Sequence, residues 1–492
     1  MHILIGVLVG LYVVSALLLS LYALGALVLL VLWRWGRARP MPPSVIPADW
    51  PRVLVQLPVY NERAVIARLV DAVAALDYPR DRLFVQVLDD STDETSELIA
   101  RLVAHYSALG YAMVHLRRTE RRGYKAGALE EGLKQQSADL VAVFDADFVP
   151  PPDFLRRVVP FFCADEQLGM VQTRWGHLNA LENALTRAQA LSLDGHFAIE
   201  QAARSRGGLL LNFSGSAGVW RLACIKAVGG WSAATLAEDL DLSYRAQLNG
   251  WRFLYLPDVV VPAEIPPQIA AYTQQQSRWA KGTTQNLLLH GPTLWRSRLN
   301  LLQKFMGTLH LAQYLTHPLM LFLLLLTVPL LLAGKLGSLP LASLGLLGFA
   351  PPMLYLAGQM ALYDDWPRRI LIFPVLMGLG TGLALRNTLA VLAALRGEPN
   401  EFRRTPKFRN LSWRQSSYAL QQGWLLPGEV FLTLYAILAM SLAHQHVPSL
   451  APFMAVYVFA FGLVSGWSLL EGLQLHWRAR TEQVSVRKRV SA

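Results

Sequence analysis

Hydrophobic and polar positions alternate differently in different parts of this chain, and each pattern predicts its own kind of element. Residues 2–33 and most of 303–474 are apolar runs, several of them longer than the roughly 20 residues that cross a bilayer as a helix. Between these runs, short segments rich in β-branched residues are followed by segments whose apolar residues have helical spacing. The predicted strands and helices include 52–57, 64–76, 83–88, 94–108, 113–116 and 140–144. This order predicts an α/β domain, doubly wound around a mixed, mainly parallel sheet.

Changes in composition mark the boundaries of the predicted regions. They are an N-terminal transmembrane helix (1–33), a basic proline-rich linker (34–50), a cytoplasmic α/β domain (51–265), amphipathic interface helices (266–302), a C-terminal transmembrane region (303–474) with a cytoplasmic loop (396–421), and a basic cytoplasmic tail (475–492). Segments 266–281 and 294–302 have amphipathic spacing and are predicted to lie along the membrane surface. The predicted C-terminal spans are 305–333, 340–362, 422–443 and 450–474.

The apolar segment 369–395 presents a conflict of topology. It is apolar enough to cross a membrane, but crossing would place the basic loop 396–414 outside, against the positive-inside bias. We therefore predict that this segment lies flat or re-enters, which gives five crossings, an external N-terminus and a cytoplasmic C-terminus. The lipid bilayer is then a partner of the protein, and the cell (inner) membrane is its expected location.

The net charge of +11 would suit a nucleic-acid-binding protein, but the position of the basic residues argues against nucleic acid. Many of them flank hydrophobic segments, as Arg34, Arg37 and Arg39 do, which is the cytoplasmic-side bias of membrane proteins. The two cysteines, Cys163 and Cys224, are not in a CxxC arrangement. They are predicted to be free thiols, and their spacing argues against a cysteine metal cluster.

Carboxylates follow two of the predicted strands. Asp89 and Asp90 end the strand at 83–88, and Asp145-Ala146-Asp147 follows the strand at 140–144. Ligands of such sheets bind beyond the carboxyl ends of the strands. Hard carboxylate oxygens suit Mg²⁺ or Mn²⁺ that is bound mainly through phosphate. The alternative is that these acids only form turns and cap helices.

Charged residues also stand near the starts of predicted helices. Lys125 lies where a cation is unfavourable for the helix dipole, which indicates an anionic partner unless the charge is simply solvated. Glu238 and Asp239 lie where acids are often no more than partners of the dipole.

A last motif, Gln275-Gln276-Ser277-Arg278-Trp279, falls on a predicted surface helix. Gln275, Arg278 and Trp279 share one face of it, as in an ordinary interfacial helix or in a binding site. Taken in order, the acids and this motif read D, DxD, ED and QxxRW. That order resembles membrane-bound family 2 glycosyltransferases, which include cellulose, hyaluronan and mannan synthases.

The resemblance implies a GT-A-like fold, a nucleotide-sugar donor, and Mg²⁺ or Mn²⁺ as cofactor. The metal would be held by Asp147 and Asp145. The residues that the resemblance assigns to the donor, outside the C-terminal loop, are Tyr60, Glu62, Asp89, Asp90, Lys125, Asp145, Gln275 and Arg278. A glycan is the implied acceptor, and the sequence does not specify a partner subunit.

The resemblance also implies the catalytic and acceptor residues. Asp239 is the expected general base beside Glu238, with Ala237 where relatives have Thr or Val. A single base without a second carboxylate nucleophile implies one displacement with inversion. Trp279 is expected to stack on an acceptor sugar. Segment 213–221 resembles the acceptor sequence FNGTAGVWR, which assigns Ser214 and Gly215 to the acceptor, although Ser214 and Ser216 replace the usual Asn and Thr.

Residues 402–407 resemble the FxVTxK gating loop of cellulose synthases. Thr405 and Lys407 are therefore expected to cover the donor, whereas Arg404 departs from the valine and Pro406 stiffens the segment. A plain basic cytoplasmic loop is the alternative.

Residues 213–282 look most like synthases of β-1,4-mannan, glucomannan and the xyloglucan backbone. We therefore predict an inverting, processive hexosyltransferase that uses UDP-glucose or GDP-mannose and exports a β-linked polysaccharide through its membrane helices. One alternative is a non-processive transferase that acts on a membrane lipid. The other is an inactive transferase that serves as a transporter or scaffold.

Overall fold

The computed structural model of the protein describes residues 2–339, 347–402, 404–408, 413, 418–420 and 423–490. The strands of the sheet are β1 (Val53–Val59), β2 (Leu83–Asp89), β3 (Met113–Arg117), β4 (Leu140–Val143), β5 (Leu168–His177), β6 (Gly218–Arg221) and β7 (Arg252–Ala263). They lie in the order β3-β2-β1-β4-β6-β5-β7. Only β6 runs antiparallel to its neighbours, so the prediction of a mixed, mainly parallel sheet is confirmed.

One helix precedes the α/β domain, and the others belong to that domain or follow it. The first twelve are α1 (His2–Gly36), α2 (Ile66–Ala74), α3 (Thr95–Ala108), α4 (Tyr124–Gln135), α5 (Phe154–Ala164), α6 (Ala184–Gly195), α7 (Ala202–Gly207), α8 (Leu222–Ala227), α9 (Glu238–Leu248), α10 (Ile269–Arg296), α11 (Leu301–Leu311) and α12 (Thr316–Leu332). A π-helical segment, His196–Gln201, joins α6 to α7. Later helices are Ala350–Leu362, Trp366–Arg369, Phe373–Gly382, Ala384–Leu395, Leu426–His446 and Ala451–Val490.

The sheet is covered on both faces, which explains why its strands are almost continuously apolar. All residues of β4 are buried, as expected for a central strand that packs against helices on two sides. One face packs against the apolar sides of α2 and α5, where Ile66, Val70 and Val158 are fully buried. The other face packs around Trp220 and Leu242. Strands β1 to β4 lie within two residues of their predicted ends, because buried β-branched runs are a strong local signal.

The predicted interface helices have different boundaries in the structure. Instead of separate helices at 266–281 and 294–302, α10 is a single helix of 28 residues. The helical structure is interrupted between Arg296, where α10 ends, and Leu301, where α11 begins. Asn300 fixes the start of α11, because its side chain caps that helix by accepting a hydrogen bond from the backbone of Gln303. Buried polar residues such as Asn286 and His290 interrupt the apolar pattern of α10. The apolar periodicity therefore predicted an end at residue 281, too early for this helix.

Within the described ranges, four helices are long and apolar enough to cross a membrane: His2–Gly36, Gln313–Leu332, Leu426–His446 and Pro448–Trp477. The predicted span at 305–333 is shorter, because α11 is a separate helix. The predicted span at 340–362 lies partly outside the described residues, and its described helix, Ala350–Leu362, has 13 residues. Segment 369–395 falls in a pair of helices bent by 41°, which fits either a broken span or a re-entrant segment. The number of five crossings therefore stays a prediction. The long apolar helices fit an integral membrane protein.

A buried ion cluster joins α9 to α10. Asp241 is 1% exposed, accepts hydrogen bonds from the Arg245 guanidinium at 2.6 and 2.9 Å, and lies 2.9 Å from Nε2 of His290. Removing one member of such a buried pair leaves an uncompensated charge, which costs roughly 3–5 kcal/mol. The cluster therefore fixes the helix whose first turn carries Glu238 and Asp239 against the helix that carries QxxRW.

Candidate active site

A cavity of about 450 Å³ lies at the carboxyl ends of β1 and β4, beside α9 and α10. The residues that the sequence predicted for the site line this cavity with the exception of Asp89. They are Tyr60, Glu62, Asp90, Lys125, Asp145, Asp147, Ser214, Gly215, Glu238, Asp239, Gln275, Arg278, Trp279, Thr405 and Lys407. The cavity thus brings together side chains that are up to several hundred residues apart in sequence.

Asp89 is a correction to the predicted donor site. It is 1% exposed, and its carboxylate accepts hydrogen bonds from Ser96 and from the Ser91 backbone, and lies 2.8 Å from Nε2 of His115. Burial acts to raise the pKa of Asp89, but these hydrogen bonds outweigh it and lower that pKa to about 2. Asp89 is therefore an ionised part of the scaffold between β2 and α3, and it does not reach the cavity.

Asp90 and Tyr60 lie beside two arginines that sequence reasoning did not select. Arg118 holds the Asp90 carboxylate through two hydrogen bonds of 2.8 and 2.5 Å. The Arg121 guanidinium lies 3.4 Å from the centre of the Tyr60 ring. Such a cation stacked on an aromatic ring forms a flat surface next to a hydrogen-bonded carboxylate. The run of arginines before Gly123 was the available signal for this surface.

Lys125 lies among the carboxylates of the DxD and ED motifs. Its Nζ is 2.6 Å from Asp145 and 3.7 Å from Glu238, and it donates to the backbone oxygen of Gly215 at 2.8 Å. Burial acts to lower the pKa of Lys125, but the charges of Asp145 and Glu238 outweigh it and raise that pKa. A permanent cation therefore stands at the start of α4, where the dipole alone would disfavour it.

Asp239 is a half-buried carboxylate that forms no ion pair with a lysine or arginine of the described residues. Its Oδ1 accepts a hydrogen bond of 2.8 Å from the backbone of Leu240. Burial and then the neighbouring Glu238 raise the pKa of Asp239 to about 7, against the opposing charge of Lys125. A side chain with a pKa near neutrality suits general base chemistry. Gly215 packs beside it in a left-handed conformation with a φ of +83°, and a Cβ there would lie 2.9 Å from Oδ2 of Asp239.

The two carboxylates of the DxD motif are the residues that fit a divalent cation. Asp147 is 5% exposed and its Oδ2 lies 2.7 Å from Nζ of Lys407. Among the described residues, no group of three or more His, Cys, Asp and Glu side chains is arranged to hold a metal ion. A pair of carboxylates suits a hard cation that takes its remaining oxygens from a diphosphate. The ammonium of Lys407 stands in one of the directions from which such a cation would approach Asp147.

The C-terminal loop closes one side of the cavity. The guanidinium of Arg404 binds both carboxylate oxygens of Glu62 at 2.8 and 2.9 Å, and Thr405 is buried behind it. Despite Arg404, burial raises the pKa of Glu62 to about 7. Gln274 of α10 donates to the backbone oxygen of Arg404 at 2.8 Å. Arg404, which stands where the gating loop of cellulose synthases has valine, therefore joins the loop to Glu62 of the predicted donor site.

Gln275, Arg278 and Trp279 all face the cavity from α10, as their spacing predicts. The Arg278 guanidinium lies 4.9 Å from the centre of the Phe402 ring. Its Nε is buried and has no hydrogen-bond partner within the described part of the chain. A buried donor of this kind is costly unless a ligand accepts from it, so an anion fits here.

We expect Gly282→Ala to reduce transfer roughly 100-fold, because a misplacement of about 1 Å in an active site can cost that much. A Cβ on Gly282 would lie 2.8 Å from the backbone nitrogen of Ala237, just before Glu238 and Asp239, and would push α10 away from them. Gly291→Ala is the matched control on the same helix, because its Cβ would meet only Leu287, at 3.8 Å. Equal transfer rates of the two variants, with equal melting temperatures, would contradict this packing role.

A second group of lining residues comes from elements outside the predicted motifs. They are mostly aromatic or imidazole side chains: Trp175, His177, His196, Phe197, Tyr272, His310, Tyr314 and Tyr355. Apolar periodicity gave no sign of them because they lie on helices and strand ends where an aromatic residue is usually part of a core. They extend the cavity between the sheet and the helices that follow it.

Comparisons with known proteins agree with this geometry. A family model described as glycosyltransferase like family 2 matches residues 51–282. Glucomannan 4-beta-mannosyltransferase 1 of Oryza sativa subsp. japonica is 44% identical over 253 residues, which are 50% of this chain and 49% of the relative. Glucomannan 4-beta-mannosyltransferase 2 of Arabidopsis thaliana is 45% identical over 239 residues, 48% of this chain and 45% of the relative. The chain thus spans about half the length of the curated relatives it matches.

A solved structure supports the fold assignment. The mannosyltransferase PcManGT from Pyrobaculum calidifontis, in complex with GDP-Man and Mn²⁺, superposes with a TM-score of 0.54 at 25% identity, covering 79% of this chain and 100% of that one. The sheet with its DxD motif is therefore a GT-A-like fold. Through residues 51–282, the chain is similar to the glycosyltransferases of family 2 and, among them, to the cellulose-synthase-like glucomannan mannosyltransferases.

Proposed function

We propose that the protein is an inverting hexosyltransferase that moves a hexose from a nucleotide-sugar to a growing β-linked polysaccharide. The observation that carries this proposal is that one cavity holds the DxD pair, the half-buried carboxylate of Asp239, and Arg278, whose buried Nε has no hydrogen-bond partner among the described residues. The similarity to glucomannan 4-beta-mannosyltransferases and to a mannosyltransferase in complex with GDP-Man supports GDP-mannose rather than UDP-glucose as donor.

On the donor side, we assign the base and ribose to the surface formed by Tyr60, Arg121 and Asp90. Lys125 and Arg278 bind the diphosphate, because both place positive charge in a buried site. Asp145 and Asp147 are the residues that would hold Mg²⁺ or Mn²⁺. The bound cation would neutralise charge on the leaving group. Gln275, Thr405 and Lys407 complete the enclosure of the donor. Glu62 holds the C-terminal loop in place through its contact with Arg404.

In the proposed reaction, Asp239 takes the proton from an acceptor hydroxyl. The acceptor oxygen forms a bond to the anomeric carbon while the bond from that carbon to the diphosphate breaks, and the nucleoside diphosphate leaves. Glu238 raises the basicity of Asp239 through its charge. Attack from the side opposite the leaving group inverts the anomeric centre, so an α-linked donor gives a β-linked product.

On the acceptor side, Trp279 stacks on the terminal sugar, and Ser214 and Gly215 bring their backbone close to it. The apolar helices suit an integral membrane protein of the cell (inner) membrane with the transferase domain in the cytoplasm, and they provide a path for export. Retention of the chain between additions makes the enzyme processive.

The test is incorporation of radiolabelled hexose by the purified protein in nanodiscs. GDP-mannose and UDP-glucose are offered separately with Mg²⁺ or Mn²⁺, and the product is digested with linkage-specific hydrolases. The expected result is a polymer made from GDP-mannose that a β-mannanase degrades. A labelled species that passes into organic solvent only after lipid is added would assign a lipid acceptor instead. No transfer from either donor would overturn the proposed function.

A further inference from the structure

The helix that crosses behind the cavity contains an irregularity. Helices α6 and α7 are joined by the π-helical segment His196–Gln201 rather than by regular α-helix. A π-helical turn costs hydrogen-bond geometry and is found frequently at functional sites. Here the segment directs His196, Phe197 and Glu200 into the cavity. None of these residues belongs to a motif that the proposed mechanism uses.

A hydrogen bond joins His196 and Glu200 inside this segment. Nδ1 of His196 lies 2.9 Å from Oε2 of Glu200, and both side chains are 29% exposed. Among the described residues, His196 is the only hydrogen-bonding partner of Glu200. Burial acts to raise the pKa of Glu200, but the hydrogen bond with His196 outweighs it and lowers that pKa. The cavity therefore contains an ionised carboxylate with oxygen lone pairs to spare.

The carboxylate of Glu200 has a different kind of partner from the carboxylates of the donor side. Apart from Glu238 and Asp239, those are each held by a lysine or arginine: Glu62 by Arg404, Asp90 by Arg118, Asp145 by Lys125, Asp147 by Lys407 and Glu264 by Arg68. A carboxylate whose partner is an imidazole instead is suited to a neutral ligand rich in hydroxyl groups. A nucleotide diphosphate would be repelled from it.

Aromatic rings lie beside His196 and Glu200. Phe197 and Trp175 have ring centres 5.2 Å apart, and Tyr355 lines the cavity from helix Ala350–Leu362. That helix reaches the site because glycines meet at the contact: a Cβ on Gly195 would lie 2.7 Å from the Tyr355 ring. Rings with a few well-placed polar groups are the usual lining of a pocket that binds an organic ligand. Flat apolar faces bordered by hydroxyls are the surfaces that a hexose presents to such rings.

The π-helical segment is also connected to the catalytic end of the cavity. The Gln201 side-chain amide donates to the backbone and side-chain oxygens of Asn212 and to Oγ of Ser214, each at 3.2 Å. Ser214 precedes Gly215, which packs against Asp239. A sugar held by Glu200 would thus lie in the same cavity as the base.

We propose that His196 and Glu200 form a subsite that binds hydroxyl groups of the growing β-linked chain and positions its end for transfer. This inference rests on the proposed function. Both oxygens of Glu200 accept hydrogen bonds from neighbouring hydroxyls, and His196 holds the carboxylate in the required rotamer. Phe197, Trp175 and Tyr355 contact the sugar faces. Glu200 is a positioning residue because it acts on the acceptor chain and not on the reacting atoms.

The experiment compares Glu200→Gln with the unsubstituted protein in nanodiscs. Binding of GDP and of a soluble β-1,4-linked mannooligosaccharide is measured separately by calorimetry, and KM and kcat for that acceptor follow. We expect chain affinity to fall roughly tenfold or more, as for a lost hydrogen bond to a charged group, with GDP affinity unchanged. The product should also be shorter, because the chain dissociates sooner. Glu97→Gln, an exposed carboxylate on α3, is the matched control.

Several outcomes decide the proposal. Unchanged chain affinity and product length in Glu200→Gln would overturn it, and so would a parallel loss of GDP binding, which would assign a structural role. If Glu200→Gln does not fold, His196→Gln carries the same test with the same expected split. If the unsubstituted protein transfers hexose only to lipid and binds no oligosaccharide, the polymer function itself fails, before any variant is compared.

Discussion

Asp239→Asn is expected to abolish hexose transfer while leaving the protein folded. The variant keeps the size of the side chain and the oxygen that accepts from the Leu240 backbone, but it loses the group that takes the proton. Loss of a general base costs roughly 10²–10⁴-fold in rate. Transfer from the labelled nucleotide-sugar measures this loss. Asp258→Asn, the same chemical change at an exposed position of β7, is the control and should transfer at the unsubstituted rate.

The pKa of Asp239 also predicts a pH dependence for both transfer and stability. Because that pKa is raised to about 7, transfer by the unsubstituted enzyme should fall about tenfold per pH unit below it. The free energy of unfolding changes with pH in the opposite direction to transfer. Protonated Asp239 stabilises the folded state, and this contribution is lost as the pH rises from 3.8, the ordinary pKa of an aspartate, through 7. Asp239→Asn should therefore melt higher than the unsubstituted protein above pH 7. Retained transfer, or an unchanged pH profile, would contradict the assignment of Asp239 as the base.

The extent to which the site was predictable follows from the range of the interactions involved. The DxD motif and QxxRW were accessible because each is a local pattern, a turn after a buried strand and a helix face. Asp89 was misjudged because successive side chains of a strand point to opposite sides. Of the pair Asp89 and Asp90, only one can face the cavity, and the partners that bury Asp89 come from β3 and α3.

Contacts between distant segments could not be derived in this way. The bond between Arg404 and Glu62 joins residues 342 positions apart, and no periodicity relates them. The resemblance to a gating loop gave the position of the loop but assigned no contact to Arg404, because the family has valine there. The π-helical segment was equally hidden, since its hydrogen bonds depend on how α6 packs against the surrounding helices. Local spacing therefore predicted the motifs that line the cavity, and tertiary packing determined what encloses them.

Asp147→Asn is expected to lower transfer at least 100-fold, and chelation of divalent cations by EDTA should do the same to the unsubstituted enzyme. A metal ion that neutralises a leaving diphosphate contributes several kcal/mol to the transition state, which corresponds to a loss of this size. The assay is transfer with and without EDTA, followed by addition of Mn²⁺. Asp153→Asn, an exposed carboxylate close in sequence, should keep its dependence on the cation. Activity of Asp147→Asn near the unsubstituted level would remove Asp147 from the metal site.

Lys407 provides the reciprocal test of the same site. Its ammonium lies 2.7 Å from Asp147 and also donates to the Glu264 backbone oxygen, and the Asp147 charge raises the pKa of Lys407 against the effect of burial. Because Lys407 and a divalent cation compete for the Asp147 carboxylate, Lys407→Met should bind Mn²⁺ about tenfold more tightly without nucleotide. Titration followed by electron paramagnetic resonance measures this affinity, and Lys134→Met on the exposed face of α4 is the control. Equal Mn²⁺ affinity in both variants would show that the loop and the cation do not share a carboxylate. A gain in affinity would mean that the loop must withdraw Lys407 each time a donor with its cation enters.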